Sequence, residues 1–453
     1  MTNSKTTTNI RELVLEILID VMENGNYSHL AIRGVLTKYQ YLEKQDRAFL
    51  SRLSEGTIER MIELDYIINQ FSSVKVKKMK PVIRNIIRMS VYQIKYMNQV
   101  PDSAACNEAV KLAKKKGFKT LTGFVNGVLR NISRGLSTIT YPDEKKELVF
   151  FLSIKYSVPE WIIEKWIKEY DAATVVKILD YGMEQKGTTI RCCLEKTSVA
   201  ELKEKLEKED ITVQEGAYLE YALKISNYNY INQISAFKEE LFQVQDESSM
   251  LVCEIAGIKE NDVILDVCAA PGGKSLHAAE KLKQTGFVMA RDISQDKIAY
   301  MQENFKRLKM NNMKAMVWDA LELDEENVEK ADVVLADLPC SGLGVIGKKT
   351  DIKYKMTAQA QQDLVQLQRD ILNVIWKYVK KDGVLIYSTC TINQEENIEN
   401  VKWFMSQYDF ELESIDSYLP AALHSQTTKE GYLQLLPGIH ETDGFFIARL
   451  KRR

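Results

Sequence analysis

Leu13, Ile17 and Val21 recur at helical spacing, as do Phe49, Leu53 and Ile58 further on. Gly25, Pro81, Pro101 and Gly117 interrupt the pattern, so residues 10–135 read as a set of helices. Residues 136–145, Gly-Leu-Ser-Thr-Ile-Thr-Tyr-Pro-Asp-Glu, have the composition of a linker. Beyond it a helical pattern runs from Pro159-Glu-Trp161 to Tyr170. Thr188–Leu194 predicts a strand, in which Cys192 and Cys193 serve packing. Ser198-Val-Ala-Glu201 has the form of a capping box opening a helix over Glu201–Glu209. Ile211–Ile225 reads as further strand, which makes residues 145–240 a small α+β segment.

From about residue 240 the period changes again. Short apolar runs alternate with helical stretches, the signature of a mostly parallel α/β sheet. The pattern predicts strands at Val263–Val267, Phe287–Arg291, Lys314–Trp318, Ala331–Ala336 and Val384–Thr389. It predicts helices from Lys274, over Asp296–Leu308, over Gln359–Lys380 and over Asn397–Ser406. Two last strands are expected through Phe410–Ile415 and Phe445–Leu450. The expected organisation is an all-α domain over residues 1–140, a small α+β domain over 141–240 and an α/β, Rossmann-like domain over 241–453. A chain of 453 residues is long enough for about three domains.

Composition narrows the class. No apolar run reaches the ~20 residues of a membrane helix, and the first residues lack the apolar core of a signal peptide; a cytoplasmic location is expected. Seven cysteines without a Cys-x-x-Cys pair, and four scattered histidines, argue against a disulfide framework and against a metal centre. The net charge of −2 hides an asymmetry: residues 1–140 hold 22 Lys+Arg against 12 Asp+Glu, while the remainder is acidic. A basic module joined to an acidic one suggests nucleic-acid binding. Lys75, Lys77, Lys78, Lys80, Arg84, Arg88 and Lys95 form one basic cluster; Lys111, Lys114, Lys115, Lys116 and Lys119 form a second. Lys348, Lys349, Lys353 and Lys355 are further candidates for gripping phosphates, with plain solvation as the alternative.

The candidate chemistry sits at strand ends, where open parallel sheets bind ligands. Asp266-Val-Cys-Ala-Ala-Pro-Gly-Gly-Lys-Ser275 joins a strand to a helix. A phosphate-binding loop needs Gly at position 268, which is Cys, and the dinucleotide pattern G-x-G-x-x-G is absent. S-adenosyl-L-methionine, which carries no phosphate, remains as the cofactor. Cys268, Ala269, Ala270, Pro271, Gly272, Gly273 and Lys274 would form its cradle. Asp292 is placed for the ribose hydroxyls and Asp319 for the adenine; the alternative is that each caps its own turn. Lys274 has three candidate partners: Asp266, Asp337 or the methionine carboxylate. Asp337 and Cys340 end one apolar run and Cys390 ends the next, so a carboxylate and two thiols share a rim. On chemistry alone the two thiols are interchangeable.

Asp266-Val-Cys-Ala-Ala-Pro-Gly-Gly-Lys274, Asp337-Leu-Pro-Cys-Ser-Gly-Leu-Gly344 and Tyr387-Ser-Thr-Cys-Thr391, in that order, resemble the RNA (cytosine-C5)-methyltransferase family. Gln245-Asp-Glu-Ser-Ser249 and Asp443-Gly-Phe-Phe-Ile-Ala-Arg449 are similar to its entry segment and closing strand. Leu338 departs from the family, which usually has Ala there. Asp46-Arg-Ala-Phe49, Asn107-Glu-Ala-Val110 and Gly123-Phe-Val-Asn-Gly-Val-Leu-Arg130 resemble the NusB-like helical RNA-binding domain. The resemblance implies a monomeric enzyme methylating C5 of a cytosine in 16S rRNA, with no membrane or metal partner. It implies that Cys390 attacks C6, that Cys340 aids product release and that Asp337 holds the base and adjoins the cofactor. The target base would have to leave its stack. Two other readings stay open: a tRNA cytosine-C5 methyltransferase, and a non-catalytic RNA-binding or ribosome assembly factor.

Overall fold

A computed structural model describes residues 9–184 and 187–453. The chain divides into two units. One comprises Met1–Val176 together with Ile346–Met356; the other comprises Lys177–Val345 and Thr357–Arg453.

The first unit is helical. Helices α1 (Ile10–Met22), α2 (Ser28–Lys38), α3 (Lys44–Glu59), α4 (Met61–Phe71), α5 (Pro81–Tyr96), α6 (Asp102–Lys115) and α7 (Thr122–Gly135) are followed by α8 (Leu148–Tyr156) and α9 (Glu160–Glu169). The Asn9 side chain caps α1 by accepting the Glu12 N–H, and Pro81 opens α5 where its missing N–H costs nothing. Leu13, Leu53, Ile67, Ile86 and Leu129 project from different helices into one apolar core. The structure revises the basic clusters. Arg84 pairs with Glu23, Arg88 with Asp65 at 2.6 Å, Lys95 with Glu63 at 2.7 Å, and Lys115 and Lys116 with Glu12. These cations hold helices together. Lys75, Lys77, Lys78, Lys80, Lys114 and Lys119 remain exposed.

Helix α10 (Ala172–Gly182) carries the boundary between the units. The second unit begins with β1 (Thr188–Cys192), α11 (Val199–Glu207), β2 (Thr212–Glu215), β3 (Ala222–Ser226), α12 (Ser235–Lys238) and β4 (Phe242–Val244). The strands form an antiparallel sheet of order β2-β3-β1-β4. The Ser198–Glu201 capping box is present as the sequence predicts. Cys192 and Cys193 are buried there.

Next come α13 (Glu247–Ala256), β5 (Val263–Asp266), α14 (Gly273–Lys281), β6 (Phe287–Asp292), α15 (Gln295–Arg307), β7 (Met313–Val317) and β8 (Ala331–Asp337). The chain then supplies the stretch 346–356 of the first unit, including α16 (Ile352–Lys355), and continues with α17 (Ala358–Ile375), β9 (Val379–Thr389), α18 (Ile398–Gln407), β10 (Phe410–Leu412), α19 (Gln426–Glu430), β11 (Tyr432–Leu435) and β12 (Phe445–Arg452). The eight-stranded sheet has the order β10-β12-β9-β8-β5-β6-β7, with β11 paired to β12. Strands β5 to β9 are parallel; β10, β11 and β12 add antiparallel pairs. From β5 the order runs one way to β6 and β7 and the other way to β8 and β9. That switch point is where such sheets open a crevice at their carboxyl ends.

The long helix expected over Gln359–Lys380 stops at Ile375, and β9 is longer than expected. Its register on β8 jumps between Ala331↔Val379 and Val333↔Val384, with Asp382 at φ 62° in the excursion. The charged run Lys380-Lys381-Asp382 is thus a bulge, not a helix end. No helix among the described residues is long and apolar enough to cross a membrane.

Candidate active site

The switch point places the candidate residues on one rim. Asp266 ends β5, Asp292 ends β6 and Asp337 ends β8; Cys390 follows the last residue of β9. Strand β8 lies beside β9, and Asp337 is in register with Ser388. The Cys340 and Cys390 sulfurs come within 3.3 Å. The bond to Cys390 and burial shape the Cys340 thiol: the hydrogen bond first, then desolvation, push its pKa well above the ordinary thiol range. Both cysteines are half-buried.

Asp337 is fixed from two sides. Lys274 Nζ donates to its Oδ2 at 2.6 Å and Ser388 Oγ to its Oδ1 at 2.9 Å. Of the partners open to Lys274, the structure selects Asp337. Burial opposes the ammonium charge, but the ion pair outweighs it and the Lys274 pKa is raised. Asp266 is almost wholly buried. Ser275 Oγ donates to its Oδ2 at 2.6 Å, while Oδ1 has no hydrogen-bond partner among the described residues. Desolvation pushes Asp266 up to about 7.

The loop from Cys268 to Lys274 wraps the carboxyl end of β5. Ala269 N–H donates to Arg291 O at 2.7 Å, Ala270 N–H to Asp292 Oδ2 at 3.3 Å and Gly272 N–H to Ala269 O at 2.7 Å. Gly272 has φ +101°, which side chains rarely adopt, and opens α14. Pro271 is exposed at the apex and Gly273 is the first helical residue. Burial pushes the Cys268 thiol up, with the charges of Asp266, Asp292 and Asp337 adding to the effect. Asp292 also accepts the Ser294 N–H at 3.0 Å. Asp319 lies beyond β7, next to the Asp292 strand end through the Trp318 N–H to Asp292 O bond, and accepts the Leu321 N–H at 2.9 Å. Each of these two aspartates therefore closes a turn with part of its carboxylate.

Leu338, the departure from the family pattern, is buried among Leu265, Val267 and Tyr387 beneath the rim. Lys353, a candidate for gripping phosphate, is instead inside the first unit: it is 2% exposed and its Nζ donates to Glu59 O at 3.1 Å and Tyr156 O at 3.4 Å. Lys355 pairs with Asp351 at 2.7 Å. Lys349 stays exposed. Several residues around the rim are not singled out by the sequence alone. Ser388 lies two positions before Cys390, a face-sharing spacing that could have been noticed. Ile293, 67% exposed just after Asp292, is an apolar side chain left uncovered at the rim. Glu396, in a run of polar residues, is wholly buried behind the cysteine loops.

Two adjacent thiols, a braced carboxylate and a Gly-rich strand-to-helix loop thus meet on one rim. Comparison with known proteins agrees in extent and order. Residues 255–451 match the family model "16S rRNA methyltransferase RsmB/F", residues 8–134 the NusB family, and residues 158–232 the ferredoxin-like domain of RsmF/B-like methyltransferases. The chain is 37% identical to "Probable ribosomal RNA small subunit methyltransferase B" of Bacillus subtilis (strain 168), over 98% of this chain and 99% of that protein. It is 28% identical to ribosomal RNA small subunit methyltransferase B of Shewanella oneidensis, again over 98% and 99%. Among solved structures, that of PH0851 superposes with a TM-score of 0.82 at 26% identity, covering 98% of both chains. Over nearly its whole length, the chain belongs to the 16S rRNA methyltransferase RsmB/F family.

Proposed function

We propose that this protein transfers a methyl group from S-adenosylmethionine to C5 of a cytosine in 16S rRNA through a covalent adduct on Cys390. The observation that carries the reading is the 3.3 Å approach of the Cys340 and Cys390 sulfurs beside Asp337. The small-subunit rRNA substrate is the one named for the full-length relatives. The rim fits the cofactor. It holds Asp266, Asp292 and Asp337, with Lys274 paired to Asp337 and Lys297 3.8 Å from Asp292, and one buried oxygen of Asp266 lacks a partner among the described residues. An excess of carboxylate suits a ligand bearing a sulfonium and an ammonium. The loop from Cys268 to Lys274 would hold its methionine end, Asp292 its ribose and Asp319 its adenine, with Ile293 against the ring.

Cytosine C5 is too weak a nucleophile on its own. The Cys390 thiol gives up its proton, the ring takes one at N3 by way of Asp337, and the sulfur adds to C6, forming an S–C6 bond and moving electron density onto C5. Asp337, oriented by Lys274 and Ser388, holds the N3/N4 edge and steadies the charge that develops there. S-adenosylmethionine supplies an electrophilic methyl group, which C5 takes. Loss of the C5 proton to a base then reforms the double bond, and the S–C6 bond breaks to release Cys390. Cys340, 3.3 Å from the Cys390 sulfur, is placed to give that sulfur a proton as it departs. The choice of Cys390, rather than Cys340, as the attacking group rests on the family resemblance of the Tyr387–Thr391 motif.

The test is transfer of labelled methyl groups from S-adenosylmethionine to small-subunit rRNA, with the product mapped for 5-methylcytosine. Cys390→Ala is expected to abolish transfer. Cys340→Ala is expected to accumulate a protein–RNA adduct that survives a denaturing gel. An adduct from Cys390→Ala would reverse the two roles. Methylation of tRNA alone would move the substrate, and no transfer to any RNA would leave an RNA-binding factor.

A further inference from the structure

Cys340 and Cys390 lie on separate loops, and a buried network joins those loops behind the sulfurs. At its centre is Glu396, with 0% exposure. Its Oε1 accepts the Ser341 backbone N–H at 2.8 Å and Gln368 Nε2 at 3.3 Å. Its Oε2 accepts Ser341 Oγ at 2.6 Å and Asn393 Nδ2 at 2.8 Å. Ser341 Oγ also lies 2.8 Å from Thr391 Oγ1, and Gln368 Nε2 donates to Pro339 O at 2.9 Å. The residues on either side of Cys340 are thereby tied to the residues after Cys390. Main-chain bonds complete the joint: Gly344 N–H donates to Cys390 O at 3.1 Å, and Gly444 N–H to Gly344 O at 2.9 Å.

A buried carboxylate is a costly way to stabilise a fold, since apolar residues of the same volume do as well or better. Hydrogen bonds to a charged acceptor are, however, short and directional. They suit a task of placement. Four donors drawn from two loops and from α17 fix Glu396, and Glu396 in turn fixes both loops.

We propose that Glu396 is a positioning residue of the two-thiol site, a carboxylate clamp that sets the separation of the Cys340 and Cys390 sulfurs. It touches neither substrate nor cofactor. Its geometric role stands apart from the reaction; its effect on turnover rests on the covalent reading above.

The experiment uses the full chain with Glu396→Gln and Ser341→Ala. Glutamine keeps the shape of Glu396 but turns an NH₂ group toward two donors. The first readout is the rate at which diamide joins Cys340 to Cys390, followed by mass spectrometry; the two thiols lose two hydrogens, and the diazene is reduced to the hydrazine. The wild-type protein should form this disulfide readily. Glu396→Gln should slow it about 100-fold, the scale expected for misplacing reacting groups by an ångström. The second readout is steady-state transfer: kcat should fall by about the same factor while KM for S-adenosylmethionine stays within about threefold. Failure of the wild type to form the disulfide, or formation by Glu396→Gln at the wild-type rate, overturns the clamp. Should Glu396→Gln not fold, Ser341→Ala decides, because it removes one side-chain donor and leaves the carboxylate in place; an unchanged disulfide rate overturns the proposal. Slowed disulfide formation in a protein whose wild type transfers no methyl group would uphold the clamp and sink the proposed reaction.

Discussion

Asp266 is a residue whose charge the fold tolerates poorly. It is 1% exposed, with one oxygen unpartnered, and burial lifts it to about 7. An unfolded aspartate releases its proton near pH ~4. Between that pH and about 7 the folded state keeps a proton that the unfolded state has lost. Stability therefore falls as pH rises through this window and levels off above it, with a total effect of order a few kcal/mol. Asp266→Asn keeps the oxygen that accepts from Ser275. It is expected to raise Tm at pH 7.5 and to flatten the slope of Tm between pH 5 and 7.5; calorimetry of both proteins across that range checks it, and parallel curves would refute it. At this scale the sequence is informative about residue types and silent about partners. Asp266, Asp337, Cys340 and Cys390 stand out because strand ends in a parallel sheet are predictable. That Lys274 pairs with Asp337 rather than Asp266 depends on a sub-ångström choice among neighbours, which no spacing encodes. Glu396 is hidden for another reason: a glutamate in an Asn-Gln-Glu-Glu run reads as solvated until the loops close over it.

At the scale of elements, the rim is a meeting of backbones. Gly344 shows how close they come: a Cβ there would collide with the Gly444 carbonyl and stand 2.8 Å from Cys390 O. Gly344→Ala is expected to cost about 1–3 kcal/mol, the range for overpacking a filled site, and to depress methyl transfer more than cofactor binding. Chemical denaturation and isothermal titration with S-adenosylmethionine check the two parts; a drop in cofactor affinity equal to the drop in transfer would show that the damage is general. The parallel strands are legible because they are short, apolar and bounded by turns. Strand β9 is half legible: Val384–Thr389 is apolar, while Val379 lies across a charged bulge from it and joins the sheet only through its register on β8. Strand β11 leaves no mark in the sequence. Its pattern of buried and half-buried residues is supplied by pairing with β12, not by its own four residues.

For the molecule as a whole, the positive charge of the first 140 residues survives as a smaller surface than the count suggests. Arg84, Arg88, Lys95, Lys115 and Lys116 are engaged in ion pairs. Of the cluster lysines, Lys77, Lys78, Lys80, Lys114 and Lys119 are exposed and open to phosphates, while Lys75, also exposed, donates to Asn69 O at 3.2 Å. Replacing these five by Gln should weaken binding to small-subunit rRNA and lower the slope of log K against log[salt] by about 0.7–0.9 for each phosphate that is no longer neutralised; filter binding at several salt concentrations measures it, and an unchanged slope would place the RNA elsewhere. Charge distribution is readable from the sequence, but which cations are free is not, because ion pairing is decided by helix packing. The same holds for Lys353. Its ammonium is enclosed by the Glu59 and Tyr156 carbonyls, and burial brings its pKa down to about 7. Both acceptors belong to the segment before Val176, while the lysine arrives from the far side of the Cys340 loop. The helical unit is thus not a cassette. Grafting residues 1–176 onto another methyltransferase, or trimming them away by a single proteolytic cut, would strand Lys353 and its neighbour Tyr354 without the walls they were folded against.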